Sequence, residues 1–356
     1  MIALAEILRR HWPAYEAKFG TKIPPSHRAA VAAILSCRTP ALGGQLYRCA
    51  CGREHFAYHS CGHRACPQCG HEDATAWIQK QKARLLPVPY FLVTFTVPEG
   101  LRQIIRSHQK VLYAALFAQS AGALTDVALT KLGIELGLLG VLHTWSRQLI
   151  FHPHVHYVVP GGGLTPDGLR WLRVKDPQFL LSTRVLALRF KNRLRQYLEA
   201  EHQDLLKQIP SKAWKQDWVV DVQPVGSGEA ALKYLSAYVY RTALGSQRIV
   251  RDEEGQITFT YRESESGETK LARVSAEEFL RRFLQHVLPR GFQRVRYFGW
   301  WSAAATQRWT RIQTLLDWKP AQLKPAPPRP APECPVCRRP MRLIGRIARG
   351  PPVRGP

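Results

Sequence analysis

The sequence predicts a mixed α+β chain preceded by a small cysteine-rich module, and three observations carry that expectation. Stretches with the two-residue period of a β-strand are interleaved with stretches at helical spacing from residue 90 to residue 288. Six of the eight cysteines lie between Cys37 and Cys69. The chain has 356 residues, enough for roughly two or three domains with a sizeable core. The expected division is 1–86 for the helices and cysteine module, 87–318 for the main domain, and 319–356 for a Pro- and Arg-rich basic tail.

Residues 1–20 read as a helix with Leu4, Ile7 and Leu8 on one side, and residues 28–35 as a second. Within residues 47–70 the runs CACG and CPQCG look like paired knuckles, each turning two thiolates toward one tetrahedral site, with glycine permitting the tight turn. Such clusters in a reducing compartment are metal sites, not disulfides, and structural Zn²⁺ is the expected ion. Cys66 and Cys69 form a standard knuckle. Cys49 and Cys51 are one residue short of the usual spacing, so Cys61 or His63 is expected to take a place beside them.

A basic helix over 77–86 leads to the strand 90–97 (YFLVTFTV), which opens the main domain. Helices are expected over 101–117 and 121–138, followed by a strand over 140–145 (GVLHTW) and then by FHPHVHYVVPGGG, residues 151–163. A long basic helix follows over 183–206, then a strand over 218–222 and a helix over 229–242 (EAALKYLSAYVYRT). A strand pair at 256–261 and 270–274 leads to a helix over 275–288, where Ser275 with Glu278 three residues on makes a capping box. Beyond residue 319 the chain reads as extended apart from a CPVC knuckle, Cys334 to Cys337, with no evident partner.

Lys and Arg number 51 against 26 Asp and Glu, a formal charge of +25, which points to a polyanionic partner, nucleic acid ahead of membrane. No apolar run reads as approaching the roughly 20 residues of a membrane span, and the N-terminus has no signal-peptide pattern, so a cytoplasmic location is expected. Nothing in the sequence sets an oligomeric state.

Residues 151–163 are where chemistry is expected. In a strand His154 and His156 project from one face while Val155 points to the other, into a core. Neutral imidazole is the commonest nitrogen ligand for divalent cations, although an edge strand with surface histidines would show the same pattern. His143, on the preceding strand, is the candidate third ligand: a short connection pairs the two strands antiparallel and brings it near His154 or His156. Its alternative is a core histidine orienting another ligand. His152 has the right parity but sits at the strand's start, before Pro153, and His286 is a weaker candidate.

Tyr234 and Tyr238 are four residues apart on the helix expected over 229–242, so both hydroxyls leave one face, with Leu232, Leu235 and Val239 as the buried stripe. With a pKa of about 10, a tyrosine is a poor nucleophile at neutral pH. A metal ion polarising a scissile phosphate lets it attack, and the phosphotyrosine formed stores the bond energy for rejoining. Hydrolysis needs no tyrosine, and two tyrosines allow two successive strand transfers.

The ordered set CRTPALGG, SCGHRACPQCG, VTFTVPEGL, LHTW, HPHVHYVVPGGG, KYLSAYVYRTA with SQRI, and EEFLRRFLQHVLPRGFQRVRYFGW resembles the HUH-endonuclease transposases of rolling-circle insertion sequences, in the two-tyrosine family, over residues 37–300. The resemblance implies a palm of antiparallel sheet with flanking helices, His154 and His156 on a central strand, and the tyrosine helix laid over it. It implies Mg²⁺ or Mn²⁺ at the histidines and Tyr234 and Tyr238 as paired nucleophiles. The implied substrates are single-stranded or hairpin element ends and target DNA. Plasmid replication initiators and conjugative relaxases use the same chemistry, but the zinc region ahead of the palm argues against them. A non-catalytic zinc DNA-binding protein is the reading of a different class. Tyr240 lies outside the four-residue spacing, and the short CACG knuckle departs from the pattern.

Overall fold

The computed structural model describes residues 2–69, 71–239, 243–263, 266–323 and 330–350; of residues 71–74, 237 and 238 it describes the backbone only. The chain divides into two compact units, each assembled from separated stretches. One comprises Met1–Ala76, Tyr240–Val287 and Lys324–Pro356, and the other Trp77–Val239 and Leu288–Leu323. The expected division at residues 86 and 318 is therefore corrected: 240–287 leave the main domain, and the C-terminal segment joins the N-terminal module.

The unit built from Trp77–Val239 and Leu288–Leu323 is organised on a five-stranded sheet. From one edge to the other its strands are Val295–Gly299, Gly137–Trp145, Phe151–Pro160, Tyr90–Thr96 and Val219–Pro224, with every neighbouring pair antiparallel. The histidine strand is central. Alternation along it sorts the two faces of the sheet. Val155, Tyr157 and Val159 join Phe91, Val93, Phe95 and Leu142 in a core closed by residues of the helices Gln109–Leu132 and Thr183–Glu201. Phe95 meets Tyr157 and Phe190 edge-on, with ring centroids 5.9 and 5.2 Å apart. The buried Tyr157 hydroxyl donates to the Phe117 carbonyl at 3.0 Å, which satisfies it inside the core.

Gln109–Leu132 corrects a second expectation. It is long and apolar enough to cross a membrane by length and composition, and 61% of its apolar window is buried inside this unit. Packing under a sheet explains that composition, since a helix covered on most sides has few positions left for charge. The break between the two expected helices falls at His108, between Glu99–Ser107 and Gln109–Leu132.

The glycines after the histidine strand stand where neighbouring backbone comes close. A Cβ on Gly163 would lie 2.4 Å from the Glu135 carbonyl oxygen, and the Glu135 N–H donates to the Leu164 carbonyl at 2.7 Å. The short strand Gly162–Leu164 then pairs with Trp171–Arg173.

The other unit holds the helices Leu4–Phe19 and Pro25–Ser36, with Ala276–Leu284 packed on the first. The capping box is half realised: Ser275 Oγ accepts the Glu278 N–H at 3.2 Å, while the Glu278 carboxylate binds Arg281 and Arg282 at 2.5 and 2.7 Å. A meander of Ile249–Glu253, Gln256–Arg262 and Thr269–Ser275 precedes that helix; its first strand was not expected. Arg10 and His11 both reach the nearly buried carboxylate of Asp252 at 2.8 Å and tie the first helix to that meander.

A second small sheet in this unit centres on Gly44–Arg48, flanked by Glu54–Tyr58 and, antiparallel on its other side, by Arg342–Ile347. The stretch expected to be a loose tail is a paired strand. The physical reason is an unpaired backbone edge on Gly44–Arg48, which a strand from anywhere in the chain can satisfy.

Candidate active site

On the sheet face opposite the packed core, the register sets His143 directly across from His154, and His156 across from Val141 and Thr94. Same-face positions on neighbouring strands lie close enough for their side chains to meet. Ligating nitrogens of His143, His154 and His156 lie within 4.8 Å of one another, and all three residues are at least nine-tenths buried.

Hydrogen bonds set the tautomers. His154 Nδ1–H donates to the His152 carbonyl at 2.7 Å, which leaves the lone pair on Nε2. That Nε2 lies 2.8 Å from His143 Nδ1. His156 Nδ1 is 2.8 Å from Thr94 Oγ1 and can donate to it, turning its own Nε2 to the centre. Burial holds His154 well below the ordinary imidazole value, with His156 beside it adding to the effect. Burial alone lowers His156 to about 4. Both are therefore neutral near pH 7, the form that ligates. The 2.8 Å separation of His143 and His154 suits adjacent corners of an octahedron, whose edge is about 3.0 Å for bonds of about 2.1 Å. The donor set thus fits a divalent cation with positions left for oxygen ligands.

The helix Glu229–Val239 packs over Gly137–Trp145 and Phe151–Pro160. Ala231, Leu232 and Leu235 are buried, while Tyr234 is 43% exposed. The Tyr234 ring stands perpendicular to that of His156, with centroids 5.8 Å apart. Tyr238 lies one turn further along this helix, its side chain outside the described residues, as is Tyr240 altogether.

Two further groups support this face, and neither was foreseen. Thr94, which orients His156, could have been found from the parity of YFLVTFTV, since Thr94 and Thr96 alternate with core residues Val93 and Phe95. Arg294 is buried; its guanidinium donates to the Val239 carbonyl at the end of the tyrosine helix and lies 5.5 Å from the Trp145 ring centre. Trp145 in turn packs edge-on against His143 at 4.2 Å. An arginine in an unpatterned stretch carries no such signal. His152 contributes its carbonyl, and His286 lies in the other unit.

The cysteines sort into two groups of four rather than the expected set of Cys49, Cys51, Cys61, Cys66 and Cys69. Cys37, Cys61, Cys66 and Cys69 form one, and Cys49, Cys51, Cys334 and Cys337 the other. The short CACG knuckle is completed by CPVC, not by Cys61, because the strands Gly44–Arg48 and Arg342–Ile347 pair and bring the two turns together. His63 stands beside the first group, with its Nδ1 accepting the Ala65 N–H at 3.1 Å. In that group the Cys66 thiol's hydrogen bond is the leading cause lowering Cys61 to about 5, while burial and then the charge on Cys61 push Cys69 up to about 11. Four sulfurs this close ionise together only when a cation shares their charge.

A buried histidine cluster on two paired strands that could hold a metal ion, an exposed tyrosine beside it and a +25 chain point to a protein of the nucleic-acid-acting class. Comparison with known proteins specifies it. Residues 137–308 match the family described as "Putative transposase", and residues 7–97 match "Transposase zinc-binding domain". The chain is 37% identical over 317 residues to "Putative transposase y4qJ" of Sinorhizobium fredii, covering 83% of this chain and 79% of that one. It is 29% identical over 289 residues to "Transposase for insertion sequence element IS801" of Pseudomonas savastanoi pv. phaseolicola, covering 76% and 68%. No solved structure gives a significant match. The chain belongs to this family of insertion-sequence transposases with an N-terminal zinc-binding domain.

Proposed function

We propose that this transposase nicks single-stranded DNA with a tyrosine, holds the cut end as a 5′-phosphotyrosine and rejoins strands in a rolling-circle type of transposition. The observation that carries the reading is the Tyr234 ring 5.8 Å from the buried His156, on a helix packed over the histidine strand. Partial exposure of Tyr234 leaves it open to a polymer substrate, while the histidines beneath it are buried.

The residues divide the work. The hydroxyl of Tyr234 or Tyr238 attacks the scissile phosphorus, the bond from phosphorus to the 3′ oxygen breaks, and that oxygen leaves as a 3′ hydroxyl with a proton. The 5′ phosphate stays on the tyrosine, so the phosphodiester energy is conserved for the second transfer. His154, His156 and His143 would hold Mg²⁺ or Mn²⁺, which when bound polarises the scissile phosphate. Thr94 and the His152 carbonyl keep the imidazoles aimed. Arg294 holds the end of the tyrosine helix. The excess of basic residues favours a polyanion, with single-stranded or hairpin element ends and target DNA as the substrates. The reading places the protein in the cytoplasm, where its thiols stay reduced for zinc.

Labelled single-stranded element ends incubated with Mn²⁺ and run on denaturing gels test this. Tyr234→Phe or Tyr238→Phe should abolish the covalent adduct, and the double variant should form none while still binding DNA. An undiminished adduct in the double variant would overturn the proposal.

A further inference from the structure

We infer that the chain carries a second structural zinc site, made of Cys49, Cys51, Cys334 and Cys337, half of whose ligands come from beyond the matched zinc-binding domain. That domain ends at residue 97 and contains all of the Cys37, Cys61, Cys66 and Cys69 group. Cys334 and Cys337 lie far downstream, yet Cys337 Sγ is 3.3 Å from Cys49 Sγ and 3.9 Å from Cys51 Sγ, and Cys334 Sγ is 3.7 Å from Cys51 Sγ. A tetrahedron with zinc–sulfur bonds of about 2.3 Å has edges of about 3.8 Å. These three distances lie close to that edge, and all four sulfurs lie within 4.8 Å of one another.

The backbone of both turns has knuckle form. Cys49 N–H donates to the Arg53 carbonyl at 2.8 Å, and Cys334 N–H donates to the Arg339 carbonyl at 2.9 Å. After the second cysteine of each pair the chain takes a left-handed residue, Gly52 at φ +85° and Arg338 at φ +60°. A non-glycine residue held there is strained, and the turn needs something to keep it.

Energetics point the same way. Among the described residues, the apolar cluster at this three-stranded ribbon is Cys49, Cys334 and Met341, with Tyr47 and Cys337 packed against it. A core that small does not hold a sheet of its own, and small modules of this kind rely on a metal or a cross-link. All four residues are free cysteines, and four thiolates with tetrahedral spacing select zinc among the common divalent ions. The metal then clips Arg342–Ile347 to Gly44–Arg48, so that the C-terminal segment is a permanent strand of the N-terminal module.

Cobalt titration of the metal-stripped, reduced full-length chain reads this directly, because thiolate-to-cobalt charge-transfer absorption comes only from the cysteine sites and not from the histidines. It should saturate at two equivalents, and at one in Cys334→Ser/Cys337→Ser. Saturation at one in the unaltered chain, or at two in the variant, would overturn the inference. If the stripped chain fails to refold, alkylation of the intact zinc protein replaces the titration. Cys334 and Cys337 should resist iodoacetamide until a chelator is added. Their full labelling with zinc present, or a Cys49–Cys337 disulfide in protein purified under reducing conditions, would equally defeat it.

Discussion

The histidine cluster and the two cysteine clusters are both sets of converging metal donors, but they are held by different forces. His143, His154 and His156 stand on paired strands whose register is set by backbone hydrogen bonds and by a large core on the far face. Cys49, Cys51, Cys334 and Cys337 stand on turns beside a small apolar cluster, which among the described residues holds Cys49, Cys334 and Met341. A fold makes the first site and then a metal can use it. The second kind of site is made by its metal, so binding energy there is folding energy.

The largest effect expected from this difference follows removal of a thiolate. Cys66→Ser should release zinc and unfold the N-terminal module, since structural zinc contributes on the order of 10 kcal/mol of binding free energy to such modules. The five-stranded unit should keep its own melting transition. Metal analysis with calorimetry checks both, and loss of the palm's transition on chelation alone would break the comparison.

Acid should act next. His156 is lowered to about 4 against about 6.5 unfolded, and His154 is lowered too. Between those values the unfolded chain binds protons that the folded chain refuses, so stability falls as pH drops from 6.5 toward 4. The loss is on the order of 3 kcal/mol for His156. Urea unfolding of the metal-free palm at pH 7 and pH 5 measures it; a flat response would mean the imidazoles are not held neutral.

Thr94→Val keeps shape and removes the hydroxyl on His156 Nδ1. Mn²⁺ affinity should fall about 10- to 100-fold with the fold intact. His143→Ala should weaken Mn²⁺ binding as much as His156→Ala, and calorimetric titration of the pair would remove His143 from the ligand set if its affinity stayed normal. The smallest effect belongs to His152→Ala, which leaves the carbonyl that orients His154 in place. Its Mn²⁺ affinity should change by less than about threefold, within the usual scatter of substitutions that spare a contact.

What could be read from sequence follows the same divide. Strand parity is local and periodic, so the alternation of His154, Val155 and His156 was legible, and the short link between strands made the position of His143 legible as well. The pairing of Cys49 and Cys51 with Cys334 and Cys337 was not, because it depends on a strand pair that closes across almost the whole chain, and the shortened knuckle pointed to its neighbours instead. Val295–Gly299 escaped for another reason. An edge strand half-covered on both faces shows no alternation to detect, and its burial is nearly uniform along its length.

The interleaving of the two units has a consequence for the order in which the protein is made. Domains fold as they leave the ribosome, N-terminal segments first. Here Gly44–Arg48 must wait for Arg342–Ile347, with one flank lacking its neighbour throughout the intervening synthesis. The sheet that carries the histidines completes earlier, once Val295–Gly299 emerges. A message cut short after residue 323 but before Cys334 would carry the whole five-stranded unit attached to an open-edged ribbon in which Cys49 and Cys51 lack their partners, a product suited to capture by chaperones or proteases.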